Sequence, residues 1–423
     1  MLKALGSIYI VIIIFFAVFD SVRNYTYLPA VFGYLKEIAV FALLFSMFFV
    51  KVSFPKIRDV SPFFYACFFC LLFTLYHTVF SYDSNSRTII YSIKSLEFFL
   101  CLLIFCNISK ISNYSIDDAV RIYLKMCVAL LLVNIIGFYI PNPIVHTDIG
   151  IDKGLMAYNG RFGLGQAPIT LFPLLIVFIY QLAFGLSRNG KYLFTLACVA
   201  SIFLGIATTA IVIIVAVTIA FLLLSRLHSK YFVAGARFSI VGLICVIIVI
   251  IYAFNKLQEM GINPLLMYSK INAVITGDLI SDPAMASRIG YKKLVVDAEL
   301  PLTEILFGRS YNYYQRLYIG AERIHVDIPI ENTYANIYAT SGVIGFFCFT
   351  GFILLNGLRQ LKLFIENKKR CEAMLFILLL IAFSLYSYTL PITDVYSMAS
   401  GFALFFAWAL KRQAKPRNMP GAA

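Results

Sequence analysis

The chain has 423 residues, of which 61% are hydrophobic and 13% are charged. A soluble domain typically has about 25% charged residues, so this composition excludes a water-soluble enzyme. Apolar runs recur from residue 4 to residue 410, which indicates a polytopic membrane protein and not a protein with a single anchor or signal peptide. The net charge of +14 would suggest a nucleic-acid partner in a soluble protein. In a membrane protein, an excess of Lys and Arg in the cytoplasmic loops accounts for such a charge, so we expect no nucleic-acid partner.

Apolar runs long enough to cross a bilayer define the predicted helices. With a rise of about 1.5 Å per residue, roughly 20 residues cross a hydrocarbon core of about 30 Å. The sequence predicts twelve helices, of which the seventh and eighth form a hairpin that turns at Thr208–Thr209. The predicted ranges are 4–20, 28–50, 63–80, 88–106, 119–140, 168–186, 191–207, 209–225, 238–254, 332–357, 372–389 and 397–410. The first helix is expected to be retained, since no small-residue cleavage pattern follows it.

Basic residues between the helices predict the orientation. If both termini are cytoplasmic, most loop Lys and Arg residues fall on the cytoplasmic side and very few fall in the short loops opposite. Three regions follow: helices one to nine over 1–254, a long loop on the outer side over 255–330, and helices ten to twelve with a basic cytoplasmic tail over 331–423.

The nine cysteines are expected to be unpaired thiols. They lie in or beside apolar runs, without the spacing of a zinc site or of a disulfide-rich fold. Cys67 and Cys70 form a C-x-x-C pattern, but this pattern lies inside a predicted transmembrane helix. We interpret it as helix packing and not as a metal or redox site.

The long loop combines arginines with many tyrosines, among them Arg288, Arg309, Tyr311 and Tyr314. Guanidinium groups bind phosphate oxygens in a bidentate manner, and phenol groups can stack on sugars and bond their hydroxyls. The loop is therefore a candidate site for a phosphorylated saccharide. The alternative is a solvated basic loop that packs on itself.

A glycine-rich segment, Tyr158 to Gly165, precedes the sixth helix and contains Arg161. Free N–H groups and the helix dipole favour anions at a helix N-terminus, so Arg161 is a candidate anion-binding residue. No strand precedes the glycines, which excludes a dinucleotide-binding fold. The alternative is a flexible turn with an arginine at the membrane interface.

Two predicted helices carry charges within the membrane: Lys36 and Glu37 in the second, Lys94 and Glu97 in the fourth. Intramembrane charges are rare and usually face a polar cavity. Lys94 and Glu97 share a helix face, so either they neutralise each other in a salt bridge or they line a cavity that opens outward.

Titratable residues cluster just before the tenth helix. A desolvated Glu331 or His325 could serve as a general base near neutral pH. The alternative for Glu331 and Asn332 is N-capping, in which a side-chain oxygen accepts free helix N–H groups.

Taken together, these motifs resemble the superfamily of O-antigen polymerases and O-antigen ligases in order and spacing. The matching segments are Gly160–Gly165, Thr208–Thr209, Arg288–Tyr291, Pro301–Leu302, Phe307–Ser310, Glu331–Tyr334 and Ser341–Gly345. The resemblance implies an all-α membrane glycosyltransferase of the GT-C type in the bacterial inner membrane, with a periplasmic active site. It implies an undecaprenyl-diphosphate-linked oligosaccharide donor, no metal and no cofactor, and a chain-length regulator as a possible membrane partner beside the lipid bilayer.

Carried over by position, Arg161 and Arg288 resemble the arginines that hold the diphosphate, and Arg309 is a further candidate. Ligase-like relatives have His-Asn where this chain has Glu331-Asn332, which favours a polymerase and leaves the base open between Glu331 and His325. Relatives often have Ser-Arg where this chain has Thr209-Ala210, so Lys94 is a candidate for the missing phosphate contact.

Two alternatives remain. A ligase would pass the glycan to lipid A-core or to a protein. A transporter of lipid-linked glycan should show repeats between its halves, but the long loop has no counterpart in the first half.

Overall fold

A computed structural model describes 2–19, 34–52, 62–81, 86–139, 167–184, 198, 208–227, 300–311, 332–366, 370–389 and 396–414. Within these residues the regular structure is helical, and they include no strand. Five of the described helices are long and apolar enough to cross a membrane. The predicted all-α architecture is thus confirmed for this part of the chain, and it fits a helical membrane protein.

The described helices follow the apolar runs in order. They are α1 (Leu2–Phe19), α2 (Leu35–Met47), α3 (Pro62–Phe80), α4 (Ser86–Ile111), α5 (Ile116–Tyr139), α6 (Ala167–Phe184), α7 (Thr208–Arg226), α8 (Leu302–Phe307), α9 (Thr333–Ile365), α10 (Arg370–Thr389) and α11 (Tyr396–Ala414). The five that are long and apolar enough to span are α1, α3, α4, α9 and α10.

Ten of the twelve predicted helices coincide with a described helix. The predicted ranges 191–207 and 238–254 lie outside the described residues, apart from Cys198, which is helical. The prediction placed the end of the tenth helix at residue 357, but α9 continues to Ile365. The short helix α8 was not predicted, because six residues inside a polar loop show no clear apolar period.

The centre of the bundle is α11, in which every residue from 398 to 410 is buried. A helix that is apolar on all sides is expected in the interior, and α11 packs against α1, α4, α6 and α10. Aromatic rings fill the space between these helices; Phe376 and Phe406 stack with ring centres 4.5 Å apart. Most of the remaining described helices pack against α11, α4 or α10.

One end of the bundle is held by polar contacts between α5 and α11. The indole N–H of Trp408 donates to the Asp117 carboxylate at 2.7 Å, and Arg412 Nε lies 3.3 Å from the same oxygen. The Arg412 guanidinium also lies 4.6 Å from the centre of the Trp408 ring. Trp408 is 2% exposed, so the bond lies at the edge of the buried core. Two donors, the indole N–H and the Arg412 guanidinium, thus stabilise the charge of Asp117 there.

The eight cysteines among the described residues are free thiols, as predicted for them. Cys245 lies outside those residues. The sulfurs of Cys70 on α3 and Cys348 on α9 are 4.0 Å apart, which reflects the close packing of these two helices.

The structure shows a break in α9 at Gly342, where the sequence predicted a continuous helix. Gly342 has φ 68° and ψ −168°, a conformation that is essentially restricted to glycine. The helix therefore consists of a first part up to Ser341 and a second part from Val343. We call this point the break. The helix α8 and the residues that follow it pack against α9 there.

Candidate functional site

The residues Gly308–Tyr311, which we call the docking segment, pack against the break in α9. The N–H of Arg309 donates to the Ala339 carbonyl at 2.8 Å, and the N–H of Ser310 donates to the Thr340 carbonyl at 3.1 Å. Carbonyls next to a helix break need partners other than the regular helical N–H groups, and buried backbone groups are nearly always paired. The docking segment thus completes the hydrogen bonding of the broken helix.

Two glycines allow this close approach of backbones. A Cβ atom at Gly308 would overlap the Thr340 carbonyl, and one at Gly342 would overlap the Leu306 carbonyl. Gly308 also has a positive φ of 81°, which disfavours any other residue there. The motifs around Gly308 and Gly342 are therefore sterically matched to each other.

The docking segment is buried and unusual in its backbone. Ser310 has φ 54°, which is uncommon for a residue other than glycine, and it is 1% exposed. The phenol oxygen of Tyr311 accepts a bond from Asn336 Nδ2 at 3.2 Å. The backbone of α9 thus holds Arg309 and Ser310, and its Asn336 side chain holds Tyr311.

Hydroxyl groups of α3 and α4 surround the same point. Thr74 and Ser341 are 2.7 Å apart between their oxygens, and Thr78 and Ser92 are 3.0 Å apart. The N–H of Tyr311 donates to the Thr78 hydroxyl at 3.3 Å. Burial of polar groups inside an apolar bundle destabilises the fold unless they form hydrogen bonds. These hydroxyl groups form them.

Arg309 is the charged residue of the docking segment. It is 9% exposed, so its guanidinium lies largely inside the protein. A guanidinium in surroundings of low dielectric interacts more strongly with an anion than it would in water. This arrangement is chemically suited to stabilise a phosphate or another developing negative charge.

Tyr311, in contrast, is an anchor of the fold. Its side chain is 1% exposed, and its hydroxyl and its N–H both make hydrogen bonds. We predicted that it binds substrate; in this structure its ring is covered by protein and is not open to solvent.

Asn332 caps α9. Its side-chain oxygen accepts from the Ala335 N–H at 2.9 Å, and its side-chain nitrogen donates to the Tyr388 carbonyl at 2.8 Å. The capping alternative from the sequence is therefore observed for Asn332. The residue also joins the start of α9 to the end of α10.

The structure describes all four intramembrane charges. The Lys94 ammonium lies 5.6 Å from the centre of the Tyr91 ring. Glu97 is 3% exposed and Lys36 is 2% exposed, so both are buried, and their helices α4 and α2 pack against each other. Lys36 Nζ lies 3.9 Å from the neighbouring Glu37 carboxylate.

Several predicted site residues lie outside the described part of the chain. They are Arg161, Arg288, Tyr314, His325 and Glu331. Of the predicted set, the structure therefore places Arg309 and Tyr311 together at the break, Asn332 at the start of α9, and Lys94 on α4. Within the described residues, no group of three His, Cys, Asp or Glu side chains is arranged to hold a metal ion.

Sequence reasoning missed the hydroxyl residues of this site, namely Thr74, Thr78, Ser92 and Ser341. One signal was present: Thr74 and Thr78 are four residues apart, on one face of an otherwise apolar helix. Hydroxyls in such a row can bond backbone carbonyls of their own helix, so the row alone did not indicate a site.

No model of a known protein family matches this chain, and no curated protein matches it.

Proposed function

We propose that the chain is a polymerase of O-antigen or of a related surface polysaccharide, with twelve transmembrane helices, a GT-C-like fold and an active site on the periplasmic face of the bacterial inner membrane. The donor is an undecaprenyl-diphosphate-linked oligosaccharide, and the acceptor is a sugar hydroxyl of a second lipid-linked unit.

One observation supports this proposal above the others. Two motifs that carry the sequence resemblance, Phe307–Ser310 and Ser341–Gly345, meet in space and fit each other through Gly308 and Gly342. A third, Glu331–Tyr334, leads into the same helix α9. Motifs that are distant in sequence and converge around a buried arginine are typical of a functional site.

The proposed reaction breaks the bond between the sugar and the diphosphate and joins the anomeric carbon to the acceptor oxygen. Arg161, Arg288 and Arg309 stabilise the negative charge that develops on the departing lipid diphosphate, with Lys94 as a further cation. Glu331 or His325 takes the proton of the acceptor hydroxyl. Fixed cations in a water-poor site can stabilise such a leaving group without a metal ion.

The test is complementation of a deletion strain with wild type, Arg309→Ala or Arg121→Ala. Arg121 is a suitable control because it is also an arginine but is 76% exposed and, among the described residues, pairs with Asp118 at 3.8 Å. Removal of one fixed stabilising group should slow transfer by about 100- to 1000-fold. We therefore expect a ladder of glycans with wild type and Arg121→Ala, and single units with Arg309→Ala at equal protein level.

Other outcomes distinguish the alternatives. Long glycans retained on the lipid diphosphate in the deletion strain would mean that the chain is a ligase. Loss of the surface glycans with lipid-linked units trapped in the cytoplasmic leaflet would mean that it is a transporter. A full ladder from Arg309→Ala would remove Arg309 from the mechanism.

A further inference from the structure

The docking segment is held by three consecutive backbone N–H groups. Two of them, from Arg309 and Ser310, donate to carbonyls of α9. The third, from Tyr311, donates to the side-chain hydroxyl of Thr78 on α3 at 3.3 Å. The position of the segment therefore depends on the Thr78 side chain in addition to the backbone and the Asn336 side chain of α9.

Thr78 is prepared to accept this bond. Its hydroxyl donates its proton to the Thr74 carbonyl at 2.7 Å, so its lone pairs remain for other donors. The contact with Ser92 at 3.0 Å must then be donated by Ser92. Thr78 is 0% exposed, and its hydroxyl thus joins α3, α4 and the docking segment inside the bundle.

Thr74 has the same arrangement one turn earlier. Its hydroxyl donates to the Cys70 carbonyl at 2.9 Å, which leaves Ser341 as the donor in their 2.7 Å contact. The two threonines therefore accept hydrogen bonds from the two elements that meet at the break, α9 and the docking segment. Thr74 binds α9 itself, whereas Thr78 binds the segment that carries Arg309.

We propose that Thr78 is a positioning residue: its hydroxyl fixes the docking segment against α9 and so sets the position of the Arg309 guanidinium at the leaving diphosphate. This inference rests on the proposed function of Arg309. The backbone N of Tyr311 is two residues from Arg309, so a shift there moves the guanidinium. Displacements of about 1 Å at a reacting centre can slow catalysis by about 100-fold.

The test compares Thr78→Val with Thr78→Ser and Thr350→Val. Valine keeps the shape of threonine but loses the hydroxyl, and serine restores it. Thr350 lies on α9, and its buried hydroxyl has no hydrogen-bond partner in the described structure, so Thr350→Val is a matched control. All variants are compared in nanodiscs at equal protein level, with an undecaprenyl-diphosphate-linked repeat unit as substrate.

We expect Thr78→Val to lower kcat by about 10- to 100-fold, with KM for the donor changed by less than about twofold. Thr78→Ser and Thr350→Val should transfer at the wild-type rate. Because Thr78 acts through Arg309, Thr78→Val should add little to the loss in an Arg309→Ala background. If kcat of the double variant falls by the product of the two single losses, the proposal is contradicted.

Hydrogen exchange separates this inference from the proposed function. Loss of the Thr78 hydroxyl should speed exchange at the Tyr311 amide, whether or not the protein transfers glycans. A wild-type protein that transfers no glycan overturns the proposed function. A Thr78→Val variant with normal transfer and normal exchange at Tyr311 overturns the role of Thr78 alone.

Discussion

Replacement of Gly342 by alanine should release the docking segment from α9. Gly342 has φ 68° and ψ −168°, and a Cβ there would overlap the Leu306 carbonyl and lie 2.6 Å from the Gly308 nitrogen. Both obstacles are backbone atoms, which cannot move away as a flexible side chain can. The new methyl group therefore forces either the helix or the segment to shift.

The size of the effect follows from the strain that the new side chain adds to the docked state. A non-glycine residue in this conformation is strained by about 1–3 kcal/mol. The bonds from Arg309 and Ser310 to α9 are lost on separation in wild type and variant alike, so they do not change this difference. The docking equilibrium therefore shifts by at least about fivefold.

Hydrogen exchange of residues 300–311, read by mass spectrometry in nanodiscs, measures this shift directly. The control is Gly357→Ala in the same helix, where a Cβ would meet only Leu380 at 3.9 Å, an ordinary contact. Alanine inside a helix is about 0.5–1 kcal/mol more favourable than glycine, so this control should not loosen the protein. Equal exchange of the segment in both variants would refute the reasoning that Gly342 is required for docking.

Two further predictions concern polar contacts outside the break. The Ser115 hydroxyl and then its N–H bond the Asp118 carboxylate and lower the pKa of Asp118 below its unfolded value of about 3.9. Their stabilising effect is therefore present above that value and lost as the pH falls through the folded pKa. The melting temperatures of wild type and Asp118→Asn should differ at about pH 7 and approach each other as the pH falls below about 3.9. Trp408→Phe removes the 2.7 Å bond to Asp117 and should destabilise the protein by about 1–3 kcal/mol in thermal unfolding. An equal loss in an Asp117→Ala background, which has no acceptor for the indole N–H, would show that this bond is not responsible.

The positions of the helices could be predicted because each apolar run must satisfy its backbone hydrogen bonds internally in lipid. Their ends depended on local signals that the apolar runs do not contain. The prediction placed the start of the fifth helix at residue 119, but α5 begins at Ile116. Ser115 and Asp118 bond each other's backbone N–H in a capping box, at 3.2 and 2.9 Å. The spacing of Ser115 and Asp118 is visible in the sequence and would have given the correct start.

The contact between the docking segment and α9 could not be predicted in the same way. Gly308 and Gly342 are visible in the sequence, but a glycine within a helical run usually indicates only a local weakness. Whether it becomes a break depends on a second backbone that takes up the freed carbonyls, and that backbone is more than thirty residues away. The sequence resemblance placed both glycines in the motifs of one family without a physical reason for their pairing.

The structure supplies that reason and also limits which residues can act there. Since the approach of Gly308 to Thr340 leaves no room for a side chain, the first side chain of the segment that can carry a charge at this point is Arg309. Tyr311, two residues later, is fixed by Thr78 and Asn336. Arg309 therefore stands between two anchored positions, so the perturbations of Gly342 and Thr78 reach it from opposite ends of the segment. If both slow glycan transfer only while Arg309 is present, the docking segment acts through that guanidinium; if either is still effective in Arg309→Ala, the segment has another role in the reaction.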